Sequence, residues 1–390
     1  MSLFVEYHLI QNFVPSNLNR DDTGAPKDAL FGGHRRARVS SQCFKRSVRT
    51  WFRGSATLPP DVLGTRTLHL DRLLVDELAA IGIEDPSKFN EVVKLALKKK
   101  VGKDKNEKSD DSDNDAALSY LLFVSPAEVS AMAQVVAEHA DAIKAIATKK
   151  KPKPADVPEA LKTALRDCLG ALRAVDIALF GRMLADLPDA NQHAACQVAH
   201  AISTHRVERE FDYFTAVDDM ATPAETGAPM IGNVEFNSAT FYRYAALDAH
   251  KLLGNLQGDR DLALAGIGAF TQAMARAIPT GKQNSFAAQN KPAFVGVALR
   301  HGSPFNLANA FERPVWPDRQ IALSTQSTQA LAAQERQLAT AYGDARDIWG
   351  FLDLTGAWPL NLGEGQASLD ALTQWVTSQV ASRLGTTSKV

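Results

Sequence analysis

The amino-terminal run LFVEYHLIQNF narrows the possible folds more than any other stretch. Leu3, Val5, Tyr7 and Leu9 fall on one parity and Phe4, His8 and Ile10 on the other, so residues 2–13 are predicted to form a strand apolar on both faces. Such a strand belongs inside a sheet covered from both sides. Further strands are expected at AVDIALFGRM (174–183), in the alternating start of HRVEREFDYFTAVDD (205–219), along NVEFNSATFYRYAAL (233–247) with an irregularity at Asn237-Ser238, and from Phe294 to Leu299. Helices are predicted at 260–278, 326–342 and 368–384. With its first strand at the amino terminus and others after 233, the chain reads as one α+β domain carrying insertions.

The stretch 61–173 differs in character. Leu58-Pro59-Pro60 breaks the chain, and helical patterns follow at 71–81 and 86–100. KKKVGKDKNEKSDDSDNDA (98–116) is too poor in apolar residues to order by burial and is expected to be a mobile loop. Ser125-Pro126-Ala127-Glu128 is a capping box with proline at the first helical position, opening a helix to about Ala147. KKKPKPADVPEA interrupts before another helix to about Ala174; its Lys149, Lys150, Lys151 and Lys153 read either as a solvated linker or as an arm touching nucleic acid. Of the 390 residues 45% are hydrophobic, ordinary for a soluble globular protein. The sequence holds no apolar run long enough to span a bilayer, and its start lacks the basic lead of a signal peptide. Cys43, Cys168 and Cys196 form neither a CxxC pair nor a disulfide framework, which predicts a reducing, cytoplasmic setting.

Positive charge is concentrated in Asn19–Phe52. Between Lys27 and Arg53, Lys27, Arg35, Arg36, Arg38, Lys45, Arg46, Arg49 and Arg53 stand against one acid, Asp28, in a chain of net charge −1. Such clustering focuses a field suited to a polyanion. Ser40 and Ser41 are good caps for a helix whose Phe44, Val48, Trp51 and Phe52 form an apolar stripe. Lys45, Arg49 and Arg53 repeat at i, i+4, i+8 on an adjoining face with Arg46 beside them. Amides near Ser41, Gln42 and Cys43 offer a phosphate seat at the helix start. In HRRARVS, His34, Arg36 and Arg38 alternate on one side of a strand and feed the same end.

These residues, NRDD-x-x-x-x-KDA-x-FGG-x-RR-x-R-x-SSQ-x-x-KR, resemble the opening of the backbone subunit of type I-E CRISPR Cascade, the CasC family. VDIALFGRM (175–183), AHAISTH (199–205), FDYFTAVDD (211–219), EFNSATFYRYA (235–245), GKQNSFAAQN (281–290) and NLANAFERPV (306–315) agree in order. The resemblance implies a ferredoxin-like, RNA-recognition-type palm with inserted helical fingers and a hairpin-like thumb. It maps to palm at 1–60, fingers at 61–173, a palm strand at 174–187, thumb at 188–232 and palm again at 233–390. It implies a non-catalytic subunit, without cofactor or metal, repeating along a CRISPR guide RNA that it presents for pairing with target DNA. Partners would be other copies of the chain and CasA, CasB, CasD and CasE-like subunits, with no membrane contact. Arg20, Lys27, Arg36, Arg38, Ser40, Gln42, Lys45, Arg46 and Arg49 would follow the RNA backbone, Met183 and Phe214 would wedge against bases, and the lysines at 149–153 would meet incoming DNA.

Two other classes are open to the sequence. A metal-dependent RNA-processing nuclease could draw on Asp218-Asp219 or Asp21-Asp22, although such a site needs several converging carboxylates and both pairs sit in turn-like context. His69, His193, His200 and His205 show no zinc-type spacing, and no base stands by spacing beside Cys43 to make it a catalytic thiol. A duplex-binding regulator would need a helix-turn-helix pattern, which is missing from the sequence.

Overall fold

The computed structural model describes residues 2–83, 85–97, 121–149, 152–170, 173–184, 188–216, 220 and 230–385. In chain order the strands are β1 (Leu3–Ser16), β2 (Asp28–Phe31), β3 (His34–Val39), β4 (Thr65–Thr67), β5 (Leu122–Val124), β6 (Cys196–Val198), β7 (Ala201–Ser203), β8 (Glu210–Ala216), β9 (Met230–Asp248), β10 (Phe294–His301), β11 (Ile348–Asp353) and β12 (Glu364–Gly365). Two compact units result: Met1–Ser55 with Cys196–His250 and Leu264–Val390, and Ala56–Ala195 with Lys251–Ala263.

The first unit is a mixed α/β body built on one large sheet of order β12-β11-β10-β1-β9-β7-β3-β2, with β6 and β8 also pairing β9. As its two apolar parities predict, β1 is central: it pairs antiparallel with β10 from Leu3↔His301 to Ile10↔Phe294 and with β9 from Phe4↔Asp248 onward. The expected irregularity at Asn237-Ser238 is a bulge whose extra residue lies on β1, between Phe13↔Ala239 and Ser16↔Asn237. Pro15, which has no amide to give a ladder, falls inside it. One sheet face takes helix α1 (Ser41–Ser55): its Phe44 packs with Phe13, Val39, Ala201 and Phe241. Tyr7 of β1 meets a second helix, Arg260–Arg276, through Phe270 and a 3.0 Å hydrogen bond with Thr271. The opposite face holds Ile10, Tyr242, Phe294, Phe311, Leu331 and Trp349.

The second unit is mostly helical. Helices Leu70–Ala80, Ser87–Leu97, Pro126–Glu138, Ala140–Ala147 and Glu159–Asp167 surround Leu74, Phe89, Met132, Val136, Ile143 and Leu161, and β4 pairs with β5. The capping box forms as read: the Ser125 hydroxyl accepts from the Glu128 amide at 3.2 Å, and the Glu128 carboxylate accepts from the Ser125 amide at 2.7 Å. The helix to Ala147 is in fact two, divided at His139. The strand expected at 174–183 is a correction: Val175–Phe180 is a helix. A short unbroken apolar run fits a buried helix as well as a buried strand; in the helix the Asp176 carboxylate accepts the Gly64 amide at 2.7 Å. The loop expected at 98–116 lies outside the described residues.

On the face of β1 away from α1, a buried ionic cluster ties distant segments together. Glu6 accepts from the Arg300 guanidinium, the Tyr244 hydroxyl at 2.7 Å and the Phe305 amide, while Arg300 reaches Glu335 at 2.6 Å and Asp347 at 3.4 Å. Burial alone would raise the Glu6 pKa, but His8, Arg300 and Tyr244 reverse that and hold it below its ordinary 4.5. Its contribution to stability is therefore complete above the unfolded value and is lost as pH falls through the lower folded one. Arg300→Met is expected to cost about 3–5 kcal/mol in denaturant unfolding at neutral pH, because it strands buried carboxylates. Acidifying the variant should recover part of that loss by neutralising them.

Candidate nucleic-acid interface

The basic segment divides by burial. Arg36, expected among the RNA contacts, is 0% exposed. One terminal nitrogen donates to the carbonyls of Ser203 and Thr204, each at 3.0 Å, and the other to Phe311 at 2.7 Å and Glu312 at 3.3 Å. Burial pulls its pKa down, and the four carbonyls compensate the charge. Arg36 is thus a structural clamp out of reach of a phosphate, although it shares its strand parity with Arg38, because the carbonyls of residues 203, 204, 311 and 312 converge on it. At the hairpin tip Gly32, at φ +57°, approaches so closely that a Cβ there would meet the Glu312 carbonyl at 1.8 Å.

Held this way, β3 delivers its other cations to solvent. Arg38 is half-buried and donates to the Asp28 carbonyl at 3.1 Å and to His200 Nδ1 at 3.0 Å. Desolvation, with Arg38 and Lys27 nearby, lowers the His200 pKa, so the ring accepts as a neutral imidazole. Sequence spacing could not find this contact across 162 residues. Lys27 is half-buried, and its amide donates to the Asn19 carbonyl at 2.9 Å. Asn19 Oδ1 accepts the Ser40 amide at 2.9 Å, and the Ser40 hydroxyl caps α1 through the Cys43 amide at 3.3 Å. That cap uses one of the amides expected to be free and buries Ser40 to 7% exposure.

Phe44, Ser47, Val48 and Phe52 are the buried positions of α1, with Trp51 half-buried, which leaves Gln42 and Arg46 exposed and Lys45 and Arg49 partly exposed. The first turn contains no acid. Arg20 and Arg46 line a cavity of about 500 Å³ with Asp21, Asp22, Ser47, Thr50 and Thr280. Gly281 closes it, since a Cβ there would strike the Leu18 carbonyl at 2.4 Å. Two sequence blocks more than two hundred residues apart thereby share one concave wall. Burial pushes the pKa of Cys43, also on that wall, up, which disfavours the thiolate.

The ribbon β8–β9 pairs from Glu210↔Phe236 to Ala216↔Met230. Phe211 and Tyr213 point to one face and are 68% and 62% exposed; Phe214, on the other, is 38% exposed with its ring over Gly232. Arg209 fixes the root of the ribbon, donating to Asp28 at 2.7 Å and Glu235 at 3.0 Å. In the second unit, Met183 is 83% exposed beside the buried Arg182, which is held by Glu128 at 2.8 and 3.0 Å and by the carbonyls of Phe123, Leu169 and Ala190. The neighbouring anchor thus displays the methionine. Periodicity alone reveals neither Arg209 nor Arg182, since their partners are remote in sequence.

Lys149 pairs with Asp156 at 2.7 Å, and the Lys153 amide caps against the same carboxylate at 2.8 Å; Lys150 and Lys151 lie outside the described residues. Asp21 accepts from the Thr23 amide and hydroxyl and the Ala25 amide, and the Thr23 bond leads in lowering its pKa, a turn role and not a metal ligand's. Asp218 and Asp219 lie outside the described residues, among which no group of three or more potential ligands converges on a metal site. Arg36→Ala is expected to destabilise the RNA-free protein by at least about 2 kcal/mol, because buried carbonyls lose their donor. Arg46→Ala should stay within about 0.5 kcal/mol. Denaturant titration of both variants checks the division.

A profile of the CT1975-like protein family matches residues 5–375. A solved chain from a "CRISPR RNA-guided surveillance complex, pre-nicking" is 31% identical with a TM-score of 0.81, the alignment covering 96% of this chain and 99% of that one. A second, from a "CRISPR RNA-guided surveillance complex", is 28% identical with a TM-score of 0.72 and the same coverage. Among curated protein sequences no match is found. With its basic strand and helix, its aromatic ribbon and a family match along nearly its whole length, the chain belongs to the CT1975-like protein family.

Proposed function

We propose that the chain is the guide-RNA-binding backbone subunit of a type I-E Cascade surveillance complex, of the CasC kind. One observation carries this reading: Arg38, Ser40, Gln42, Lys45, Arg46 and Arg49 run along one strand and the helix it feeds, on a helix that holds no acid, while the inward-facing Arg36 locks the strand in place. The two solved neighbours come from complexes named as RNA-guided, which supports RNA as the ligand. The strand order β10-β1-β9-β7, with α1 after β1 and helix Arg260–Arg276 between β9 and β10, supports a ferredoxin-like palm. The helical unit then corresponds to fingers and the β8–β9 ribbon to a thumb.

In this reading the subunit performs no chemistry. Its cations neutralise guide phosphates without reading sequence, and base pairing between guide and target DNA supplies specificity. Arg20 and Lys27 add to the phosphate row, while Met183 and Phe214 press against bases, an apolar contact that every base tolerates. Lys149, Lys150, Lys151 and Lys153 meet target DNA from the fingers. Copies stack along the guide in the cytoplasm, joined by CasA, CasB, CasD and CasE-like subunits.

Replacing Lys45 and Arg46 together by Ala is expected to weaken RNA binding irrespective of sequence and to flatten the log–log salt dependence by about 0.7 for each phosphate no longer neutralised. An unchanged slope would contradict the assignment. Phe214→Ala should leave the melting temperature of the RNA-free protein nearly unchanged while disordering bound guide. A core phenylalanine would instead cost about 3–5 kcal/mol of folding stability.

A further inference from the structure

The loop after Phe311 displays a tryptophan that neither the core nor the interface described above uses. Trp316 is 60% exposed. Its segment is nevertheless fixed: the Arg36 clamp holds the Phe311 and Glu312 carbonyls, the Val315 amide donates to the Thr204 carbonyl at 2.9 Å, and Asp318 accepts the Gln320 and Ile321 amides at 2.7 and 3.1 Å. Pro314 and Pro317 stiffen the backbone on either side. The indole is therefore held out on a rigid mount. Its ring lies edge-on to His34, with centroids 6.2 Å apart.

What surrounds Trp316 decides what it suits. Arg313 and Arg319 stand three residues to either side, both exposed, and neither makes an ion pair among the described residues. Of the acids in the segment, Asp318 is committed to its cap and Glu312 is exposed beside Arg313. An apolar protein partner would favour a tryptophan set in a broad apolar patch, whereas residues 316–321 are all exposed and, after the tryptophan, consist of proline, charged and amide side chains with one apolar residue, Ile321, 42% exposed. A large exposed π-face in a loop that carries two exposed arginines fits a base with phosphates on both sides. His34 opens β3, whose far end reaches the capped start of α1, so the indole stands roughly 17 Å along the strand from the phosphate row.

We infer that Trp316, with His34, Arg313 and Arg319, is a second contact for single-stranded nucleic acid: a stacking platform for one unpaired base, at the opposite end of β3 from the row at α1. The inference rests on the proposed RNA-binding function and extends it to a surface outside that row. The test uses the full-length protein, freed of nucleic acid, and a fluorescently labelled oligouridine. Trp316→Ala should weaken binding roughly 5- to 150-fold, the span of a single base–aromatic stack, and Trp316→Phe should restore most of it. Arg313→Ala and Arg319→Ala should each flatten the salt slope by about 0.7. Photo-crosslinking of a thiouridine oligonucleotide to the wild type should label the peptide containing Trp316, a readout that does not depend on any variant folding. If Trp316→Ala binds like wild type while Arg46→Ala is weakened, the platform is wrong and the RNA-binding function stands. If the wild type does not bind oligouridine at all, both fail. If Trp316→Ala alters self-association without nucleic acid and leaves oligouridine affinity intact, the surface is a contact between copies and the inference is overturned.

Discussion

The Arg36 guanidinium, buried against four carbonyls, is the interaction on which the presentation of the basic surface depends. It joins β3 to the Ser203–Thr204 segment at the end of β7 and to the Phe311–Glu312 segment, three pieces of chain separated by more than a hundred residues each. A neutral side chain could not satisfy four acceptors at once, and a lysine would offer three donors on a flexible stem in place of a planar fork. The cost of burying the cation is balanced by these bonds, and the result is a strand that cannot rotate. The half-buried Arg38, the buried Ser40 cap and, beyond it, the exposed Gln42 and Arg46 follow directly on the strand that this clamp holds.

Similar logic recurs at two other places. Arg209 ties the aromatic ribbon to Asp28 and Glu235, and Arg182 sits in a carbonyl-and-carboxylate nest beside the exposed Met183. In each case one arginine is fixed in or near the protein interior and an adjacent apolar or cationic side chain is left outside. This division reconciles a net charge of −1 with a strongly local field: the acids are distributed, and many serve structural arginines, as Glu6, Glu335 and Asp347 serve Arg300. Net charge alone would have concealed this local cluster of cations.

Features written in local periodicity were legible in the sequence. The two-faced strand β1, the capping box at Ser125, the apolar stripe of α1 and the bulge near Asn237 all follow from neighbours within a few residues. What was not legible depends on the other end of a long-range contact. Arg36 and Arg38 look equivalent in HRRARVS, and only the carbonyls of residues 203, 204, 311 and 312 make one structural and leave the other at the surface. The apolar run at 175–180 fits strand and helix alike by local pattern, and it forms a helix buried in the second unit. Trp316 gives no periodic signal because it sits in a proline-flanked loop.

The nucleic acid that travels with the protein tests the central claim most directly. If exposed cations on a rigid strand and helix hold a guide, protein isolated from its native cells should carry small RNA of one uniform length, released by high salt and destroyed by ribonuclease. Recovery of heterogeneous duplex DNA, or of protein free of nucleic acid, would contradict that claim.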